Sequence, residues 1–284
     1  MIGQLKFRGA SILQKTLIII FQIMLISYAI LIFYPLLNMI ISSFKTSREI
    51  FKTPYAMPEK WLFSNYVEVW GEGGFGRYFF NSIYVTGISI GIVLLLGSMA
   101  AFGICRYDYK LSTFIYLAFL AGIMLPLKAA IIPLFMLVRN LGLMDNPLAL
   151  ILIFTAMSMP STVFILTGFM KTIPHDLEDS GRIDGANEWM VYRQIIMPLT
   201  APSIALVTIY NAVPVWNDFF FPLVFIQSNK LKTLPLGMSV FFGQYQISWH
   251  LLFASLSIAI LPMLILYLFL SKYFIKGMTA GALK

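Results

Sequence analysis

Six runs of apolar residues, each long enough to cross the hydrocarbon core of a bilayer, constrain this chain more than anything else in it. They cover residues 16–41, 80–104, 111–138, 148–170, 203–226 and 251–275. A crossing helix needs about 20 apolar residues, and backbone in lipid has to satisfy its own hydrogen bonds. The expected fold is therefore an all-α integral membrane protein with six transmembrane helices, forming one domain over residues 1–284. Composition agrees, because 59% hydrophobic and 11% charged residues, with a mean hydropathy of +0.83, do not suit a soluble surface. The net charge of +8 is spread among the segments between the runs rather than gathered into a basic stripe with aromatics. Membrane lipid, and not nucleic acid, is the surrounding it implies.

Lys6, Arg8 and Lys15 precede the first run, which is longer than the roughly 7–15 apolar residues of a signal peptide and reads as an uncleaved span. Six spans put both termini on one side, together with the 106–110 turn and the polar stretch 171–202. Those segments hold more than half of the 20 lysines and arginines. The positive-inside rule then makes them cytoplasmic and makes 42–79, 139–147 and 227–250 extracytoplasmic loops. The 42–79 loop has room for one or two surface helices. Gly87, Gly91 and Gly97 are small packing positions in the second span. Pro126, Lys128 and Pro133 interrupt the third, so a break near Pro126 is expected, either as an ordinary kink or as part of a transport site.

The polar stretch has its own pattern. Pro174 and the acids Asp176, Glu178 and Asp179 mark a helix start, and a short helix to about Asp184 carries Leu177, Ser180, Gly181 and Asp184 along one nearly bare face. Gly185 supplies a stop, and Asn187 caps a second short helix with an apolar stripe of Trp189, Tyr192 and Ile196. Such an element is either a docking surface or an amphipathic connector on the membrane.

Groups for covalent chemistry are sparse. His175 and His250 stand alone, no phosphate-binding loop of the Gly-x4-Gly-Lys-Ser/Thr type occurs, and the single Cys105 excludes an internal disulfide. Catalysis and bound cofactors are not expected. Asp218 is the exception inside the membrane, near the centre of the fifth run beside Trp216, Asn217 and Phe219. A carboxylate there either faces a solute path, where its neighbours offer the chemistry for holding a sugar, or satisfies backbone groups freed by Pro214 and Pro222. An ion-coupled transporter and a membrane-embedded enzyme are the alternatives from other classes.

The spacing Asp179-Ser180-Gly181-x3-Gly185-x9-Ile195-x-Met197-Pro198 resembles the EAA loop of ABC importer permeases, Glu-Ala-Ala-x3-Gly-x9-Ile-x-Leu-Pro. LEDSGRIDGA (177–186), IPLFMLVRNLGLMDN (132–146), WNDFFFPLVF (216–225), TLPLGM (233–238) and GMTAGALK (277–284) are similar to segments of the second membrane subunit of maltose-type importers. The resemblance implies a type I permease fold, a sugar or oligosaccharide as solute, and alternating access in the inner membrane of a prokaryote. A permease of another solute, such as a polyol, glycerol phosphate or acidic oligosaccharide, is the alternative within the same machinery. Coupling to a separate ATPase, which binds ATP and Mg, would run through Leu177, Asp179, Ser180, Gly181, Asp184, Gly185, Ala186, Trp189 and Pro198. The tail, with Thr279 and Gly281, would lie against the ATPases, and Phe242, Gly243, Gln244 and Tyr245 would face an extracytoplasmic solute-binding protein. A second, related permease would complete a heterodimer, since an ATPase pair has two clefts. Against the family pattern, Asp179 shortens the glutamate, and Ser180 and Gly181 replace the two alanines.

Overall fold

The computed structural model describes residues 12–71, 74–107, 109–126, 128–241 and 248–281, and every described regular element is helical. α1 (Ile12–Ser42) leads to α2 (Ser47–Lys52) and α3 (Ser64–Gly71), two short helices within the polar 42–79 segment. Thr46 and Glu49 close a reciprocal cap at the start of α2. Lys45 is fully buried, with Nζ donating to the carbonyls of Thr53 at 3.0 Å and Pro54 at 3.2 Å. Among the described residues the segment is a largely exposed stretch with two short helices, braced over residues 43–65 by hydrogen bonds from Lys45 and Asn65.

α4 (Phe75–Arg106) and α7 (Pro147–Met170) make the most extensive helix pair, with α5 (Ser112–Met124) and α6 (Ile131–Asn140) between them in sequence. The third apolar run thus breaks over 125–130, as its prolines imply. α8 (Asp176–Ile183) leads into a continuous rod made of α9 (Glu188–Met190), a π-helical turn (Val191–Ile196) and α10 (Met197–Leu199). That rod meets α11 (Ala201–Asn217) at 74°. α12 (Phe220–Phe225), α13 (Leu234–Met238) and α14 (Trp249–Gly281) complete the chain.

The fifth run differs from the single span expected. Its helix stops at Asn217, Asp218 turns extended, and α12 restarts two residues later. Pro214 removes one helical donor, and Asp218 Oδ1 accepts from Phe221 N at 2.8 Å to start the new helix. Among the described residues, four helices are long and apolar enough to cross a membrane, Gln14–Ser42, Phe75–Arg106, Pro147–Met170 and Trp249–Tyr273, or five if the bent pair counts as one span.

The core is layered along the bundle. At one end Ala101, Phe102, Leu166, Met170, Tyr192 and Ile196 pack the polar stretch onto α4 and α7. The middle is filled from α4, α7, α11 and α12 by Val85, Leu150, Phe154, Val215, Phe221 and Phe225. At the other end Phe75, Tyr78, Trp216, Leu234 and Leu251 join α3 and α13 to the bundle. Gly97 lets α4 reach α7 closely, since a Cβ there would come within 2.5 Å of Thr162 Cγ2.

Candidate functional site

α8 forms where three acids in its first turn face the positive end of the helix dipole. It closes as a Schellman turn: Gly185, at φ +88°, donates to Arg182 O, and Ala186 N donates to Gly181 O at 2.9 Å. Only glycine takes that backbone cheaply. Asn187 Oδ1 then accepts from Met190 N at 2.9 Å and starts the next helix.

One acid of α8 turns inward. Glu178 is fully buried, with its carboxylate 2.5 Å from Arg106 Nε, and both side chains are 1% exposed. Arg106, the last residue of α4, also donates from Nη2 to Ile173 O at 3.1 Å. The polar stretch is thus anchored to the end of a long membrane helix. On the outer side, Arg182 bridges Asp179 and Glu188, each at 2.9 Å, and Tyr107 Oη donates to Glu188 at 2.8 Å. Tyr192 passes its hydroxyl inward to Ser98, 2.8 Å away.

Leu177, Asp179, Ser180, Asp184, Gly185, Trp189 and Pro198 are exposed, Ala186 is half-buried, and Gly181 packs against Ile195. The pattern did not single out Ile183, which is 86% exposed, nor the Arg106–Glu178 pair. A readable signal existed for the pair: a basic residue ends one apolar run and an acid opens the polar stretch assigned to the same side.

A second feature lies between the helix breaks. A cavity of about 590 Å³ is lined by Pro126, Lys128, Ser161, Tyr210, Asn211 and Asp218 among others. Lys128 Nζ stands 3.9 Å from Asp218 Oδ2 and 5.7 Å from the centre of the Phe220 ring. Asp218 therefore caps α12, the structural role, and also lines the cavity. Its neighbours are not gathered there. Trp216 is buried and donates its indole N–H to Ala259 O at 3.1 Å, Asn217 Nδ2 donates to Val213 O, and Phe219 faces Pro235, Met238 and Leu252. Phe242, Gly243, Gln244 and Tyr245 lie outside the described residues, and Thr279 and Gly281 fall in the last turns of α14, where no side chains are described.

Residues 93–280 match the family described as binding-protein-dependent transport system inner membrane component. The chain belongs to this family. The permease is 31% identical over 279 residues to the diacetylchitobiose uptake system permease protein of Streptomyces coelicolor, covering 98% of this chain and 92% of that protein. It is 34% identical to the melibiose/raffinose/stachyose import permease of Bacillus subtilis, over 89% of this chain and 91% of that one. A crystal structure of a bacterial ABC transporter involved in import of the acidic polysaccharide alginate shares the permease's fold, with a TM-score of 0.81 at 20% identity, covering 93% of this chain and 99% of that chain. Permeases of this family are multi-pass inner-membrane subunits without catalysis of their own. They work in assemblies of a permease pair, a separate ATPase and a solute-binding protein.

Proposed function

We propose that this permease forms half of the translocation path of an ATP-driven importer for a sugar or oligosaccharide, and that α8 is its docking element for the ATPase. The observation that carries the docking is the outward face of α8. Ile183 is 86% exposed and Leu177 45% exposed on a polar, firmly anchored helix, on a side that the other described residues leave open. Apolar side chains presented on a rigid, bare-faced element suit a protein cleft. Asp184 and the Gly185 turn shape the tip, Trp189 follows it at the start of the next helix with Pro198 at the far end of the rod, and Asp179 carries its charge already shared with Arg182. The relatives named for diacetylchitobiose, for melibiose, raffinose and stachyose, and for arabinooligosaccharides support a carbohydrate solute.

Six crossings follow if α5 with α6 makes the third and α11 with α12 the fifth, each broken near the cavity. Both termini and α8 then lie in the cytoplasm, with the 242–245 segment toward the solute-binding protein and 279–281 toward the ATPases. The partner permease is a different, related chain.

Cysteine placed at Ser180 or Ile183, in a background with Cys105 replaced by Ser, is expected to crosslink to the cognate ATPase in a nucleotide-dependent manner. No crosslink with any coexpressed ATPase would remove the docking assignment.

A further inference from the structure

We propose that the cavity between the two helix breaks is a subsite for an uncharged, polyhydroxylated solute, gripped by Lys128 and Asp218 and unfavourable to acidic solutes. The proposal rests on the reading of this chain as a solute-conducting permease and adds the charge class of what passes.

Pro126 after α5, Pro160 in α7 and Pro214 in α11 all border the cavity, so the two helix breaks converge on it beside a proline-bearing stretch of α7. Irregular backbone at membrane depth is tolerated where it lines a cavity. Lys128 and Asp218, the two ionised groups of the described lining, come one from each break, and their formal charges cancel.

At 3.9 Å their nitrogen and oxygen are too far apart for a direct hydrogen bond, which ends near about 3.2 Å. The charges compensate each other while the hydrogen-bonding capacity of both groups stays open. Asp218 Oδ1 is engaged by Phe221 N, whereas Oδ2, among the described residues, has the ion pair alone. Lys128 keeps three donors and is 64% exposed at its side chain.

A sugar hydroxyl is donor and acceptor at once, so neighbouring hydroxyls match an ammonium and a carboxylate oxygen set side by side. Tyr210, 56% exposed at the rim, offers an aromatic face for the C–H side of a sugar ring. The wall behind is already satisfied: Asn211 accepts from Ser161 at 3.2 Å and donates to Thr162 at 2.9 Å and Val207 O at 3.0 Å. Lys128 and Asp218 are then the charged groups of the described lining with capacity to spare, beside the Tyr210 hydroxyl. An anionic sugar would lose hydration on entering and meet Asp218 as well as Lys128, gaining little net attraction in return.

The test uses the full chain in lipid nanodiscs with Cys105→Ser and a reporter, Ile123→Cys, on the cavity wall. Modification rates are measured with a cationic and an anionic methanethiosulfonate. Lys128→Met is expected to raise the cation-to-anion rate ratio about tenfold, Asp218→Asn to lower it by a similar factor, and Lys128→Arg to leave it unchanged. D-glucose should slow modification in the parent but not in Lys128→Met or Asp218→Asn, and D-glucuronate should not slow it in any of them. Lys128→Arg, with its charge kept, is the control for folding, and monodisperse elution is required of every variant. An insensitive rate ratio, protection by glucuronate equal to that by glucose, or protection by neither sugar would overturn the proposal. The ATPase crosslink at Ser180 does not depend on the cavity, so success there with failure here removes the subsite and leaves the docking intact.

Discussion

Glu178 is a carboxylate with no exposed surface, held by an arginine that is equally hidden. A buried pair of this kind adds little over a well-packed apolar pair, but cutting it in half strands a charge. Glu178→Ala is therefore expected to cost about 3–5 kcal/mol, read as a lower unfolding midpoint in detergent, while Glu178→Met with Arg106→Met recovers most of the loss. Gly181 poses the opposite balance. Alanine there gains about 1 kcal/mol of helix propensity, yet its Cβ would meet Ile195 Cδ1 at 2.4 Å. Because that atom is the far end of a flexible side chain, Gly181→Ala alone should leave stability nearly unchanged. Combined with Ile195→Val it should exceed Ile195→Val alone by about 1 kcal/mol, measured by hydrogen exchange across α8. The sequence pattern pointed to the small residues of this stretch. It placed Glu178 at the helix start but not in the interior, because three acids in one first turn look alike until the fold decides which of them turns inward.

Among elements, three glycines in the second run read as packing positions, and Gly97 makes the tight approach. Nothing of the described chain lies within 4 Å of a Cβ added at Gly87 or Gly91. Thr162 is β-branched and stiff, so Gly97→Ala should push α4 from α7 and lower stability by about 1–3 kcal/mol in thermal unfolding. At the far end, Asp145 ties the α6–α7 turn to the exit of α12. Its carboxylate accepts from Gln227 N and Ser228 N at 2.8 Å and from the Ser228 hydroxyl, while Asp145 N donates to Phe225 O. The Ser228 side chain, then the two backbone N–H groups, hold its pKa below the ordinary aspartate value. A depressed carboxylate contributes stability above its unfolded pKa of about 3.9, and that contribution is lost as pH falls through the lower folded value. Protection factors at the Gln227 and Ser228 amides, taken against intrinsic exchange at the same pH, should therefore stay high above about pH 5 and fall as the medium becomes more acidic than about pH 3.9; Asp145→Asn should remove this dependence. The breaks in the third and fifth runs differed in legibility. Pro126 and Pro133 announced the first, but the second needed the Asp218 side chain to replace a helical turn, which hydropathy does not register.

For the whole molecule, apolar run length located the helices because lipid leaves the backbone few options. It did not say which helices form the bundle. α4, α7, α11 and α14 share the core, while the hydrophobic window of α1 is 0% buried within the chain, with α14 as its main contact. Leu31→Ala, at a site 71% exposed, should leave the unfolding midpoint of the isolated chain unchanged. Leu150→Ala, fully buried in α7, should cost about 2–5 kcal/mol in the same measurement. Partner surfaces were hardest to read, since Ile183 is an ordinary helix residue until the fold leaves it standing in the open.

The 74° corner between the α9–α10 rod and α11 has a mechanical consequence. Thr200 is buried at the corner, its hydroxyl donating back to Ile196 O and Met197 O at 3.0 Å, and the π-helical turn is packed beneath it. The two arms are braced like a bell crank. With 17 residues, the α11 arm is about 25 Å long, so rotating the crank by about 10° sweeps its Asn217 tip through about 4 Å. If the corner turns as one piece, a slight tilt beside α8 would be felt over several ångströms where Asp218 meets Lys128.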